Sequence, residues 1–197
     1  MMSKQIFYYG TMSSSKSAQL LMQNYNYKEQ GSITKLIKPA IDTRDGNGII
    51  SSRIGMKESA DFVILPDDTG DDIYELLEGD NFGLVKTNVL LIDEAQFLND
   101  EQINAIVEWS SDNRTELHVF GLLKDFQNKL FPGTKRWLET SDSIVEIKTT
   151  CSKCTRKATC NLRLLNGKPV YEGDTIQIGG NESYASVCSK HYYEYDE

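Results

Sequence analysis

Lys16 and Ser17 sit behind a run of small residues, Gly10-Thr11-Met12-Ser13-Ser14-Ser15. The run is one residue away from G-x-x-x-x-G-K-[ST], a loop whose backbone N–H groups cradle phosphates. In such a loop the Lys16 ammonium reaches the β- and γ-phosphates, and the Ser17 hydroxyl ligates Mg²⁺. Ser15 occupies the place of the second glycine. If that place requires positive φ, the Cβ costs roughly 1–2 kcal/mol. At helix-like angles the cost is small, provided the Cβ points away from the phosphates, and the hydroxyl can even donate to one. A serine-rich turn that caps a helix has the same spelling, so context must decide.

The second chemical feature is "NVLLIDEAQFL", an apolar run ending in Asp93 and Glu94. Ligands of open α/β sheets bind at the carboxyl ends of strands. An acid placed there, opposite a phosphate loop, is a Mg²⁺ partner acting through water. The adjacent carboxylate can face an acceptor and take the proton from its hydroxyl. Asp93 is assigned the first role and Glu94 the second. Two solvated acids at a strand end are the bland alternative.

The third feature is a set of thiols. Cys151 and Cys154 form C-x-x-C, and Cys188 and His191 form C-x-x-H. Two such knuckles brought together make a tetrahedral zinc site. Cys160 is the rival fourth ligand, but its spacing fits no knuckle. Four protein ligands leave no open position, so the expected zinc is structural. The other histidine, His118, lies in an apolar run and is assigned to packing.

These groups need elements to hold them. Strand-like runs fall at Gln5–Tyr9, Lys35–Ile41, Phe62–Leu65, Asn88–Ile92, Leu117–Leu122 and Ser143–Ile147. Most are continuously apolar, as in strands buried on both faces of a parallel sheet. Helical patterns lie between them. Ser17 to Gln30 places Ala18, Leu21, Met22 and Tyr25 on one stripe, with Gly31 as a stop. Asp72–Glu78 carries Ile73, Leu76 and Leu77 and stops at Gly79. Asn99 opens a third helix with Gln102 as a capping-box partner and Ile103, Ile106 and Val107 inward. The alternation gives an α/β fold: a P-loop parallel sheet flanked by helices over residues 1–148. From Thr149 the pattern changes to short strands and turns, with "NGK" as a hairpin signal. Residues 149–197 form a small β-rich unit that needs a metal to stay folded.

The chain has 197 residues, 39% of them hydrophobic, enough for one domain and a small appendage. A formal charge of −8 argues against a duplex-binding surface, which would need a basic face. It leaves small anions open, because backbone amides and one lysine hold phosphate on an acidic protein. The longest apolar runs are strand-sized, so no membrane span is expected. "MMSKQIFYYG" lacks a signal peptide's apolar middle. A cytoplasmic, reducing setting follows, in which cysteines read as metal ligands before disulfides.

Taken in order, "FYYGTMSSSKSAQLL", "IDTRDGNGIISSRIG", "VLLIDEAQFL", "FGLLKDFQNKLFPG", "CSKC", "IQIGGNESYASVC" and "CSKHY" resemble the type II thymidine kinases of cells and bacteria. The match spans almost the whole chain. The resemblance implies transfer of the γ-phosphoryl of ATP to the 5′-hydroxyl of thymidine, with Mg²⁺. It implies Glu94 as general base, and Gly10 to Ser17 with Asp93 and Gln96 as the ATP site. It places Arg44 near the phosphates and substrate, and Phe97, Leu122, Phe126 and Phe131 in an apolar nucleoside pocket. It implies a zinc-held lasso loop over the base through Thr175, Ile176, Gln177, Ile178 and Gly179, with Tyr184 covering the sugar or base. It also implies a homotetramer and feedback inhibition by thymidine triphosphate. Core packing is the ordinary reading of the phenylalanines without the resemblance.

The sequence departs from the family at Ser15, which bears on ATP affinity. Lys124 and Asp125 fall where the family varies and receive no role. "GNGIISSRIGMKES" reads as a mobile loop in which Arg53 meets either phosphates or solvent. Two rival functions remain. One is a nucleotide binder without turnover, motivated by Ser15. The other is a nucleic-acid-dependent ATPase, suggested by "DEAQ" and a zinc module, for which the chain lacks a second clamping domain and a basic track.

Overall fold

The computed structural model describes residues 4–41, 46, 48–80, 86–173 and 184–195. In chain order the first part contains β1 (Gln5–Gly10), α1 (Lys16–Glu29), β2 (Thr34–Pro39), β3 (Ile49–Ser51), β4 (Lys57–Ser59), β5 (Phe62–Ile64) and α2 (Gly70–Asp80). It continues with β6 (Val89–Ile92), α3 (Asp100–Asn113), β7 (Glu116–Leu122), α4 (Pro132–Thr140) and β8 (Ser143–Glu146). Six of these strands form one sheet in the order β5-β2-β6-β7-β1-β8, with every neighbouring pair parallel.

A parallel sheet must bury both faces, and β6 shows how its sequence does so. Val89 and Leu91 pack with Leu20, Leu21, Leu36, Ile50 and Phe120 on one face. Leu90 and Ile92 pack with Ile73, Leu77, Ile103, Ile106, Trp109 and Trp137 on the other. So α1 and the β3–β4 hairpin cover one face, and α2, α3 and α4 cover the opposite one. The strands are parallel, so β1, β6 and β7 all end at the same edge. β6 stops opposite Val119 while β7 runs on to Leu122, which pairs with Gly10. The chain after β6 therefore turns across a ledge beside the end of β7, next to the loop that follows β1.

Several local expectations change. On α1 the buried residues are Lys16, Ala18, Leu20, Leu21 and Asn24, whereas Met22 and Tyr25 are exposed. Asn24 replaces the expected aromatic because its amide is used: Nδ2 donates to Glu58 at 2.7 Å and Oδ1 accepts from the Thr34 hydroxyl at 2.5 Å. α2 runs through Gly79 to Asp80 instead of stopping, and Leu76 is part-exposed while Ile73 and Leu77 are buried. Within the glycine- and serine-rich segment expected to be a mobile loop, the stretch 49–59 folds as an antiparallel hairpin, with Ile50 opposite Glu58. Full burial of Ile50 and a turn closed by Gly55 N–H donating to the Ser52 carbonyl, at 3.0 Å, hold it. α4 has no counterpart in the sequence reading. It begins at Pro132 and buries Trp137. α3 carries the expected capping box, with Gln102 N–H donating to Asn99 Oδ1 at 2.9 Å and Gln102 Oε1 accepting from Asn99 N–H at 3.2 Å.

The C-terminal part holds β9 (Cys160–Leu165), β10 (Lys168–Val170), β11 (Tyr184–Val187) and the short α5 (Ser189–Tyr193). Its antiparallel sheet has the order β10-β9-β11. Asn166 and Gly167 both take positive φ, as the two centre residues of a type I′ hairpin turn require. Cys151, Cys160, Leu162, Val187, Cys188 and Tyr192 form an apolar cluster separate from the two around the large sheet.

Candidate active site

The loop from Gly10 to Ser15 joins the end of β1 to the start of α1. Gly10 is obligatory: a Cβ there would lie 2.7 Å from the Ile147 carbonyl oxygen and against the Ser14 side chain. Ser13 and Ser15 both sit in the left-handed region, at φ 64° and 65°. The residue at the second-glycine place therefore adopts the costlier of the two conformations considered from sequence, at roughly 1–2 kcal/mol. The Lys16 side chain is buried and its Nζ donates to the Thr11 carbonyl at 2.9 Å, which holds the ammonium over the loop. The Thr11 and Ser14 hydroxyl oxygens are buried without a hydrogen-bond partner among the described residues. Orphaned buried polar atoms of this kind call for a ligand. Phosphate oxygens fit the N–H groups, hydroxyls and ammonium gathered here.

The loop is joined to the carboxylate pair by one bond. Ser17 Oγ donates to Asp93 Oδ2 at 2.7 Å, and Asp93 Oδ1 is buried with no partner among the described residues. Burial, and then the neighbouring Glu94 charge, push the Asp93 carboxyl up to about 6, against the pull of the Ser17 hydrogen bond and the Lys16 charge. A hydroxyl and a carboxylate oxygen, with one further oxygen unpaired, are the hard donors that Mg²⁺ takes. Glu94 has φ 48°, a strained value for a residue with a long side chain. Gln96 holds that side chain: Nε2 donates to Glu94 Oε2 at 2.6 Å, and Gln96 Oε1 accepts from Leu122 N–H at 3.0 Å. Gly121 makes the second contact possible, since a Cβ there would come within 3.0 Å of Gln96 Oε1. Trp137 Nε1 donates to the Ala95 carbonyl at 3.1 Å and fixes the turn from the α4 side.

Around this centre the rings fall into two groups. Phe97 and Phe131 meet edge to face, 5.9 Å between centroids, beyond the Glu94 turn. Phe126 is buried, and the Arg163 guanidinium stacks over it at 5.1 Å. Arg163 pairs across the strands with Tyr184. Burial raises the Tyr184 hydroxyl pKa, while the Arg163 charge opposes the shift. Asp125 accepts from the N–H groups of Gln127 and Lys129 at 2.8 and 2.9 Å, shaping the turn that carries Phe126.

The thiol cluster is compact. The ligand atoms of Cys151, Cys154, Cys188 and His191 lie within 4.8 Å of one another. His191 Nδ1 is 3.4 Å from Cys151 Sγ and 3.5 Å from Cys188 Sγ, and Cys154 Sγ is 3.9 Å from Cys188 Sγ. Edges of a tetrahedral zinc site are about 3.5–3.8 Å, close to these three distances, so three thiols and an imidazole here suit zinc. Burial pushes the Cys151 thiol up, but backbone N–H groups of Cys188 and Lys153 and contact with His191 outweigh it and hold it at about 6. That is the thiolate form a metal takes. Cys160 lies in β9 outside this set.

The sequence profile described as "Thymidine kinase" matches residues 3–192. The chain belongs to the thymidine kinase family. It is 46% identical over 190 residues to a thymidine kinase of Streptococcus pyogenes serotype M3, covering 96% of this chain and 97% of that one. To a thymidine kinase of Streptococcus agalactiae serotype Ia it is 47% identical over 193 residues, 98% of each chain. A structural overlap with the Pif1 helicase of Candida albicans has a TM-score of 0.44 at 14% identity, over 74% of this chain and 36% of that one. Likeness that low carries no functional meaning.

In this thymidine kinase family member the structure gathers Gly10 to Ser17, Asp93, Glu94 and Gln96 at one sheet edge. Phe97, Leu122 and Phe131 lie next to that turn, and Phe126 and Tyr184 meet through Arg163. Arg44 and Thr175 to Gly179 lie outside the described residues. His118 is buried between the Tyr8 and Tyr27 hydroxyls, at 3.2 and 2.9 Å, in keeping with packing. Arg53 is exposed, and its guanidinium donates to the Ser13 hydroxyl in the phosphate loop. Sequence reasoning missed Arg163, although a lone cation within "NLRLL" was a signal. It also missed Asn161 and Ser186, two strand residues with no motif to mark them.

Two outcomes follow. Asp93 has a folded-state pKa near 6, above the ordinary 3.8, so the acid form favours folding and that contribution is lost as pH rises through about 6. Asp93→Asn is therefore expected to stabilise the nucleotide-free protein at pH 7 by about 1–3 kcal/mol. The gain should vanish near pH 4. Thermal unfolding at the two pH values checks it, and an unchanged or lower Tm at pH 7 contradicts it. Cys151→Ser is expected to release zinc and open the C-terminal part to proteolysis. Metal analysis that still finds about one zinc per chain contradicts the ligand set.

Proposed function

We propose that this chain transfers the γ-phosphoryl of ATP to the 5′-hydroxyl of thymidine, giving thymidine monophosphate for pyrimidine deoxynucleoside salvage. The observation that carries the reading is the Ser17–Asp93 hydrogen bond, which puts a phosphate-binding loop and a restrained carboxylate, Glu94, at one sheet edge. Family membership supplies the substrate pair. Backbone N–H groups of the loop and Lys16 hold the phosphates. Ser17 and Asp93 are the residues that would hold Mg²⁺, which would supply charge neutralisation of the phosphates.

Glu94 takes the 5′-hydroxyl proton as that oxygen attacks the γ-phosphorus and ADP leaves. Gln96 keeps the Glu94 carboxylate aimed. Phe97, Leu122, Phe126 and Phe131 form an apolar slot for the pyrimidine, and Arg44 serves the phosphates and substrate. Thr175 to Gly179 close over the base with Tyr184, keeping water from the phosphoryl group. The zinc at Cys151, Cys154, Cys188 and His191 is structural. Residues 1–148 form the ATP-binding domain and 149–197 the zinc-held lasso domain.

Thymidine triphosphate, which joins the product's base to a nucleotide's phosphates, is the feedback inhibitor in this reading. The assembly is a homotetramer in the cytoplasm. Exposed Met22 and Tyr25 on α1, and Ile144 and Val145 on the edge strand β8, support self-association. No helix among the described residues is long and apolar enough to cross a membrane.

Labelled γ-phosphate from Mg·ATP is expected on thymidine monophosphate, with Glu94→Gln slowing kcat by about 10²–10⁴-fold while ATP binding stays within about threefold. Label released only as free phosphate overturns the reading in favour of an ATPase. Nucleotide binding without transfer makes the chain a binder with an inactive loop. A near-normal kcat for Glu94→Gln removes Glu94 as the base.

A further inference from the structure

Met12 lies in the middle of the phosphate loop, between Thr11, whose carbonyl holds Lys16, and the strained Ser13. Its own polar groups are taken by the C-terminal sheet. Met12 N–H donates to Asn161 Oδ1 at 2.8 Å, and the Met12 carbonyl accepts from the Ser186 hydroxyl. Asn161 is on β9 and Ser186 on β11, directly opposite each other in the ladder. Both side chains are buried, so neither bond is exchanged freely with water. The Asn161 amide makes a second contact. Its Nδ2 donates to the Lys124 carbonyl at 3.0 Å, just before the turn that carries Phe126.

The two gripping residues are tied to the zinc cluster. Ser152, inside the Cys151–Cys154 knuckle, donates its N–H to the Ser186 carbonyl at 2.9 Å. Cys188 follows β11, and Cys160 precedes Asn161 on β9. A chain of hydrogen bonds thus leads from the metal knuckle through Ser186 to the phosphate loop. Two residues in left-handed conformations, Ser13 and Ser15, persist only where their surroundings hold them there.

We propose that Asn161 and Ser186 are positioning residues for ATP: the zinc-held strands clamp Met12 and fix the phosphate loop in its binding shape. The C-terminal part then serves the nucleotide as well as the nucleoside, and zinc loss weakens ATP binding by releasing Met12. This inference rests on the reading of Gly10 to Ser17 as an ATP loop.

The test is calorimetric binding of Mg·AMP-PNP to the full-length chain and to three variants. Zinc content, Tm and thymidine KM are read on the same samples. Asn161→Ala is expected to weaken nucleotide binding about 5–30-fold and Ser186→Ala about 3–10-fold. Ser186→Thr keeps the hydroxyl and should bind nearly as wild type. Zinc should stay near one per chain, and thymidine KM should move by less than about threefold. Wild-type affinity within about twofold in both alanine variants overturns the clamp. So does an alanine variant that loses zinc or thymidine binding to the same degree as nucleotide binding, because that is general damage to the C-terminal part. A wild-type chain that fails to bind the analogue overturns the ATP-loop reading itself, and the clamp with it. That outcome is separable from one in which the wild type binds and the variants bind equally.

Discussion

The Ser17–Asp93 hydrogen bond is the joint on which the site depends. It links the first turn of α1 to the end of β6, two elements from distant parts of the chain that also pack together through Leu20, Leu21, Val89 and Leu91. Asp93 is buried, and a buried carboxylate is tolerated where its oxygens are satisfied. Here one oxygen has Ser17, and the other has no partner among the described residues. The Lys16 ammonium nearby lowers the cost and the Glu94 carboxylate raises it. Two adjacent acids, one of them buried and pushed up by burial and by its neighbour, mark a candidate functional site.

Strain gathers around that joint. Ser13, Ser15 and Glu94 all take positive φ, a conformation that residues with a Cβ seldom adopt. The neighbours that hold them there are not catalytic groups. Gly10 lets the loop fold back on Ile147. Gln96 spans Glu94 and Leu122, and Trp137 pins the Ala95 carbonyl from behind. Met12 is held by the C-terminal strands. Glu94 and Ser13 thus each have an anchor within one or two positions, supplied for Glu94 by Gln96 and α4 and for Ser13 by the C-terminal strands.

Much of this was legible in the sequence. Continuous apolar runs such as "VLLI" announce strands buried on both faces, and the motif spacing announced the loop, the acids and the thiol cluster. The misreadings have physical causes. Met22 and Tyr25 follow the helical period, but an apolar stripe read from one helix does not say which flank meets the sheet. Asn24 took the buried flank because Thr34 and Glu58 satisfy its amide. Serine and glycine in "GNGIISSRIGMKES" mark the turn of a hairpin as readily as a loop, and only burial of Ile50 separates the two. Asn161 and Ser186 left no trace because their contacts with Met12 arise from pairing across β9 and β11 against a loop 149 and 174 residues away, which no local spacing encodes.

A double-mutant cycle between Ser17→Ala and Asp93→Asn, read as the Mg²⁺-dependent part of ATP affinity, tests the joint most directly. If the two side chains act as one unit, either single change should remove most of the Mg²⁺-dependent affinity. The double variant should then lose little more, with a coupling of about 1–3 kcal/mol. Losses that simply add would mean that Ser17 and Asp93 act separately, and that the site is not assembled around their contact.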